Sequence, residues 1–141
     1  MAPEYHLPGL RLADAVTLVE HTLTAGRELG FAPLAAAVVD LTGEVLALHR
    51  ADEAHPLTSR IAVGKARTAL ITLISSGECE HLPMGIQDAA RLLYHGDFVT
   101  RAGGLPVVRD RVVQGAIGVS GAASDEDEAA ARVALDAWAP T

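Results

Sequence analysis

Leu105–Leu135, LPVVRDRVVQGAIGVSGAASDEDEAAARVAL, is the stretch from which the fold can be read. Leu105–Arg109 and Val112–Val119 are rich in strand-forming residues, and only Asp110-Arg111 separates them. Two such runs joined by two residues read as an antiparallel hairpin. The second run thins into glycine, serine and alanine, then meets Ser124–Glu128, where four of the five residues are acidic. Asp125–Trp138 is expected as a closing helix. Carboxylates in a first turn offset the helix dipole, and Ser124-x-x-Asp127 has the form of a capping box.

Leu12, Val16, Val19 and Leu23 recur at helical spacing, which predicts a helix over Leu12–Leu29 stopped by Gly30. Leu34–Val39 and Glu44–His49 read as a hairpin around Asp40-Leu41-Thr42-Gly43. Thr58–Ser75 is expected as a second helix ending before Gly77, and Pro83–Tyr94 as a third ending before Gly96. Phe98–Arg101 is expected as a short strand. Hairpins outnumber strand–helix–strand crossovers, so the order predicts an α+β fold, an antiparallel sheet carrying helices, as one domain over residues 1–141.

Half of the 141 residues are apolar and 21% are charged, a balance that suits a soluble, folded chain. The net charge of −7 supplies no electrostatic footprint for nucleic acid or an anionic membrane. No apolar run approaches the ~18–20 residues that cross a bilayer. The N-terminus lacks the pattern of a secretory signal. A single cysteine, Cys79, excludes an internal disulfide, and the cytoplasm is the expected location. Alanine- and arginine-rich composition hints at a high-GC bacterium, where such small domains accompany biosynthetic enzymes.

LADA at 12–15, LALHRADEA at 46–54, KARTA at 65–69, GGLPVV at 103–108 and GAIGVSGAASDEDEAAARVAL at 115–135 together resemble the GlcG/HbpS-like family of haem-binding or haem-degrading domains. The resemblance covers nearly the whole chain apart from about residues 76–100. It implies an antiparallel sheet of about five strands packed with helices, assembled as a homodimer or larger homo-oligomer. Some relatives bind haem and some sit beside glycolate or diol-utilisation enzymes. Arg11 stands where relatives often carry a capping threonine. Asp110-Arg111 stands where Asp-Gly is common, so either a turn other than type I′ is expected, or Arg111 held for a contact. Residues 76–100, matched by none of these motifs, are where this chain's own ligand specificity is expected.

Within the second helix Lys65, Thr68 and Thr72 share a face. A lysine and two hydroxyls among small residues suit a ligand carboxylate. The competing structural role is a surface ion pair for Lys65 and threonines bonded back within the helix. Gly103, Gly104, Ser120 and Gly121 are expected to shape the same pocket, with backbone N–H groups of residues 121–123 available to a carbonyl or a single carboxylate. Gly118-Val119-Ser120-Gly121-Ala122 is no nucleophile elbow, because no histidine follows Ser120. The six histidines include no i, i+4 pair; Cys79-x-His81 is the nearest approach to ligand spacing, and no metal site is expected.

Two functions follow. The first is a small-molecule-binding domain, with haem or another planar, carboxylate-bearing compound as ligand, Lys65 pairing with its acid and Thr68 or a histidine approaching the metal or ring. The second is a cofactor-free enzyme of isomerase, lyase or cyclase type, moving protons on a small acid with His49, Asp52, Lys65 and His95 as acid–base groups. A purely structural accessory role would instead predict a filled interior around Lys65.

Overall fold

Ala35–Val39 has no polar alternation, and all five residues are buried as strand β1. One edge of β1 pairs with β2 (Val45–Arg50), the other with β4 (Val112–Ser120), and β4 pairs in turn with β3 (Gly104–Arg109). Every pairing is antiparallel and the sheet order is β2–β1–β4–β3. The computed structural model describes residues 1–4 and 9–138. His6, one of the six histidines, lies outside them.

A strand buried on both faces needs helices on both sides. On one face, Ala36 and Val38 of β1, Leu105 and Val107 of β3, and Ile117 and Val119 of β4 form the main core. Helices α1 (Leu12–Glu28) and α4 (Ser124–Trp138) close it with Leu18, Val19, Ala130, Ala131, Ala134 and Trp138. On the other face, Ala35, Ala37, Val39 and Ala116 meet Ala62, Ala66 and Ala69 of α2 (Leu57–Thr72). Alternation along β1 divides its residues between the two layers.

Small residues bring α2 unusually close to the sheet. A Cβ on Gly118 would lie 2.6 Å from the Ala66 nitrogen and closer still to the Ala62 carbonyl oxygen. A Cβ on Gly104 would meet the Lys65 carbonyl in the same way. The helix backbone therefore rests on bare strand backbone at both glycines.

The α+β architecture is as expected, with four strands in place of about five. Phe98–Arg101 forms no strand, because the Val99 N–H donates to Thr68 Oγ1 at 2.8 Å and Val99 packs against Gly64. That segment crosses α2 instead of extending the sheet. Helix α2 stops at Thr72, with Leu73 left-handed at φ 61°, short of the expected Ser75. Ser76 Oγ instead donates to the Arg101 carbonyl and accepts the Gly104 N–H, tying the chain to the start of β3. A 3₁₀ turn at Glu78–His81 then leads into α3, Met84–Leu93.

Asp110 and Arg111 both have positive φ, 51° and 66°. The two-residue connection has the φ signs of a type I′ turn without glycine, contrary to the expectation of another type. Strand twist favours that geometry strongly enough to outweigh a cost of order 1 kcal/mol per residue. Arg11 makes no side-chain cap bond, yet α1 starts at Leu12. No helix among the described residues is long and apolar enough to cross a membrane.

Candidate functional site

Lys65 and Asp127 form a bridge between the two helical layers. Lys65 Nζ donates to Asp127 Oδ2 at 3.0 Å and to the Val119 carbonyl at 2.9 Å, and the two side chains are only 3% and 2% exposed. Because α2 and α4 cover opposite faces of the sheet, the lysine must pass the end of β4. Gly103 makes room: a Cβ there would come within 2.9 Å of Nζ. Burial pushes the Lys65 ammonium below its ordinary 10.5 and the Asp127 carboxyl above its ordinary 3.8; their mutual attraction opposes both shifts. Lys65 thus has an acid partner inside the fold.

The two threonines beside it are bonded internally too. Thr68 Oγ1 donates to the Gly64 carbonyl at 2.7 Å and Thr72 Oγ1 to the Thr68 carbonyl at 2.8 Å. Both are i−4 bonds within the helix. Gly104 lies under α2 and Gly121, at φ 134°, under the Pro33 carbonyl; both mark close contacts between chain segments. Ser120 is buried at the end of β4. The N–H groups of Ala122 and Ala123 are taken by the chain's own carboxylates, Asp127 Oδ1 at 2.9 Å and Glu126 Oε1 at 3.2 Å. Glu126 and Asp127 thus cap α4 in place of Ser124, which makes no cap bond among the described residues. Lys65 is 2% exposed and lines neither the cavity beside Arg67 nor the one beside Arg27.

One turn along α2 the situation differs. A cavity of about 700 Å³ lies between the β1–β2 turn, the C-terminal half of α2 and the end of α3. Leu41, Leu70, Ile71, Leu73 and Leu93 make its walls apolar, and Arg67, Tyr94, His95 and Asp97 bring polar groups to them. Arg67 Nε donates to the Gly43 carbonyl at 2.9 Å and Nη1 to Asp97 Oδ2 at 2.6 Å. His95 is held at φ 54°, followed by Gly96 at φ 86°, whose N–H closes α3 onto the Arg91 carbonyl at 2.8 Å. A left-handed histidine is an uncommon conformation, fixed here by the end of the helix. Leu93, Tyr94, His95 and Asp97 all belong to the segment outside the matched motifs.

The expected acid–base groups do not converge. His95 lines the 700 Å³ cavity, while Asp52 lines another of about 490 Å³ beside Arg27 and Phe31. His49 is exposed on β2 and lines neither, and Lys65 is in its buried pair. No general acid–base pair is assembled from these four. Among the described residues no group of three or more His, Cys, Asp or Glu is placed to hold a metal ion. Arg67 lies on a face of α2 adjacent to that of Lys65, Thr68 and Thr72, and its place inside KARTA is the signal for it in the sequence.

A family model described as haem degrading protein HbpS-like matches residues 10–136. A 15.0 kDa protein from the dhaT-dhaS intergenic region of Citrobacter freundii is 32% identical over 111 residues, covering 75% of this chain and 76% of that protein. The Klebsiella pneumoniae protein ORFY superposes with a TM-score of 0.87 at 26% identity, over 100% of this chain and 98% of its own. PduOC, solved as a heme complex, gives 0.80 at 25% identity over 92% and 94%. A Streptomyces reticuli HbpS double mutant gives 0.78 at 28% identity over 97% and 90%. By sequence and by fold, then, the chain belongs to the HbpS-like family.

Proposed function

We propose that this chain is a cytoplasmic small-molecule-binding domain whose ligand occupies the 700 Å³ cavity, with haem as the first ligand to test. The observation that carries the reading is the composition of that cavity: apolar walls, with one guanidinium and one imidazole beside the carboxylates of Glu44 and Asp97. Its size and lining are those of a ligand site. A planar, carboxylate-bearing macrocycle is matched group by group: leucines for the ring, Arg67 for an acid and His95 for iron. Imidazole is the usual protein ligand to haem iron, which a hydroxyl such as Thr68 is not. Bound haem would supply iron chemistry; the chain's own part is to lay apolar side chains against the ring and fix its acid.

Titration with haem is expected to shift the Soret band, saturating at one haem per chain, and His95→Ala is expected to weaken binding by about ten- to hundredfold. No spectral change at stoichiometric haem would sink the reading.

The chain is also proposed to act as a homo-oligomer. Helix α3 supports this, because its buried residue is Gln87, which donates to the Glu80 and Leu82 carbonyls. Met84, Ile86 and Leu92 point outward at 55–79% exposure. A helix with its apolar residues outward and a glutamine inward suits a surface covered by a partner. Light scattering should return a multiple of the chain mass; the mass of one chain would contradict the proposal.

A further inference from the structure

We infer that Arg67 is an exchangeable carboxylate receptor, and that a ligand acid takes the place of Asp97 on its guanidinium. This rests on the binding function proposed above and adds what the ligand must carry and how the empty site is kept.

Helix α2 bears two ion pairs of opposite character. Lys65 and Asp127 are 3% and 2% exposed, and the carboxylate also caps α4, so exchange would strand a buried charge. Arg67 and Asp97 are 29% and 42% exposed and both line the cavity. Asp97 can release the arginine into water by a side-chain rotation alone. Its backbone would stay fixed, since its N–H donates to the Tyr94 carbonyl at 3.0 Å and, two residues on, the Val99 N–H donates to Thr68 Oγ1 at 2.8 Å.

Arg67 would stay in place as well. Its Nε is anchored on the Gly43 carbonyl at 2.9 Å, which orients the guanidinium independently of Asp97. Nη2 makes no hydrogen bond among the described residues. A guanidinium presents donors in a rigid fork that a carboxylate can meet with two oxygens. Arg67 is also the one Lys or Arg among the lining residues, while Glu44 and Asp97 are both anionic. The lining therefore favours an apolar ligand that brings a single carboxylate to Arg67, its other polar groups facing solvent. Asp97 serves as an internal competitor. It neutralises the arginine in the empty site, and a neutral ligand cannot replace it.

The test compares haem with haem dimethyl ester by spectral titration in three proteins: wild type, Arg67→Gln and Asp97→Asn. Wild type is expected to prefer the acid by about tenfold. Arg67→Gln should weaken the acid by about tenfold and the ester far less, and so abolish the preference. Asp97→Asn, with the competitor removed, should bind the acid about two- to fivefold more tightly. The opposite signs of the two variants separate exchange from simple damage to the fold. If haem binds but Arg67→Gln leaves the acid-to-ester ratio unchanged, the receptor role falls and the binding function stands. The same holds if Asp97→Asn weakens the acid as much as Arg67→Gln does. If wild type binds neither compound, both proposals fall.

Discussion

Replacing Lys65 alone with methionine is expected to cost about 3–5 kcal/mol of folding stability, because Asp127 then stays buried without its cation. Asp127→Leu should cost as much, leaving the ammonium with only the Val119 carbonyl. Lys65→Met combined with Asp127→Leu should cost less than either single change. Removing both charges relieves their desolvation, offset by about 1 kcal/mol for the lost bond to the Ala122 N–H. Urea unfolding of the four proteins gives the coupling directly. Single variants within about 1 kcal/mol of wild type would contradict the bridge.

The pair also has a pH signature. Between 3.8 and its raised folded value, Asp127 keeps a proton in the native state that the unfolded chain releases. Its contribution is therefore present at low pH and lost as pH rises through that window. Between its lowered folded value and 10.5, Lys65 has released a proton that the unfolded chain still holds, so stability returns as pH rises there. Compared with the double variant, wild type should be at its weakest near neutral pH and gain ground toward both extremes. A difference that is flat with pH would show that neither group is perturbed.

Gly118→Ala is the second change expected to be severe, at about 3 kcal/mol or more, the upper end of what overpacking costs. The added methyl meets the Ala62 carbonyl and the Ala66 nitrogen, which are backbone atoms of α2 and cannot rotate aside. The helix would have to lift from the centre of the sheet, opening its contacts with Ala35, Ala37 and Val39. Gly85→Ala is the matched control: nothing lies within 4 Å of its added Cβ, and alanine favours the helix by about 0.5–1 kcal/mol. Denaturation midpoints moving down for the first and up for the second would separate contact from propensity. A small effect at Gly118 would mean that α2 rides higher on the sheet.

Most elements were legible because apolar periodicity and Gly or Pro punctuation are local signals. The missing fifth strand shows where such signals stop. Phe98-Val99 has strand-forming residues, yet a hydroxyl on Thr68, far along the chain, takes the Val99 N–H before any strand can. The candidate site was less readable for the same reason. Lys65 stood out as a cation among alanines, but its partner lay 62 residues away inside an acidic run that a helix start already explained. Arg67 and His95 share a cavity only because the end of α3 folds back toward the β1–β2 turn, and no spacing along the chain records that. At Asp110-Arg111 the residue types argued against the turn that the strands impose.

The Lys65–Asp127 bridge also bears on how the protein comes together. Its two ends lie in layers on opposite sides of the sheet, and the carboxylate is supplied by the last helix of the chain. A partly assembled molecule with α2 seated and α4 still loose would hold an ammonium in the interior with no counter-charge. Such a state is raised in free energy relative to both the native and the unfolded chain, so it should not accumulate. The ion pair makes the two layers dependent on each other, and the domain is therefore expected to unfold in one step, with fluorescence of Trp138 and far-ultraviolet dichroism tracing the same transition.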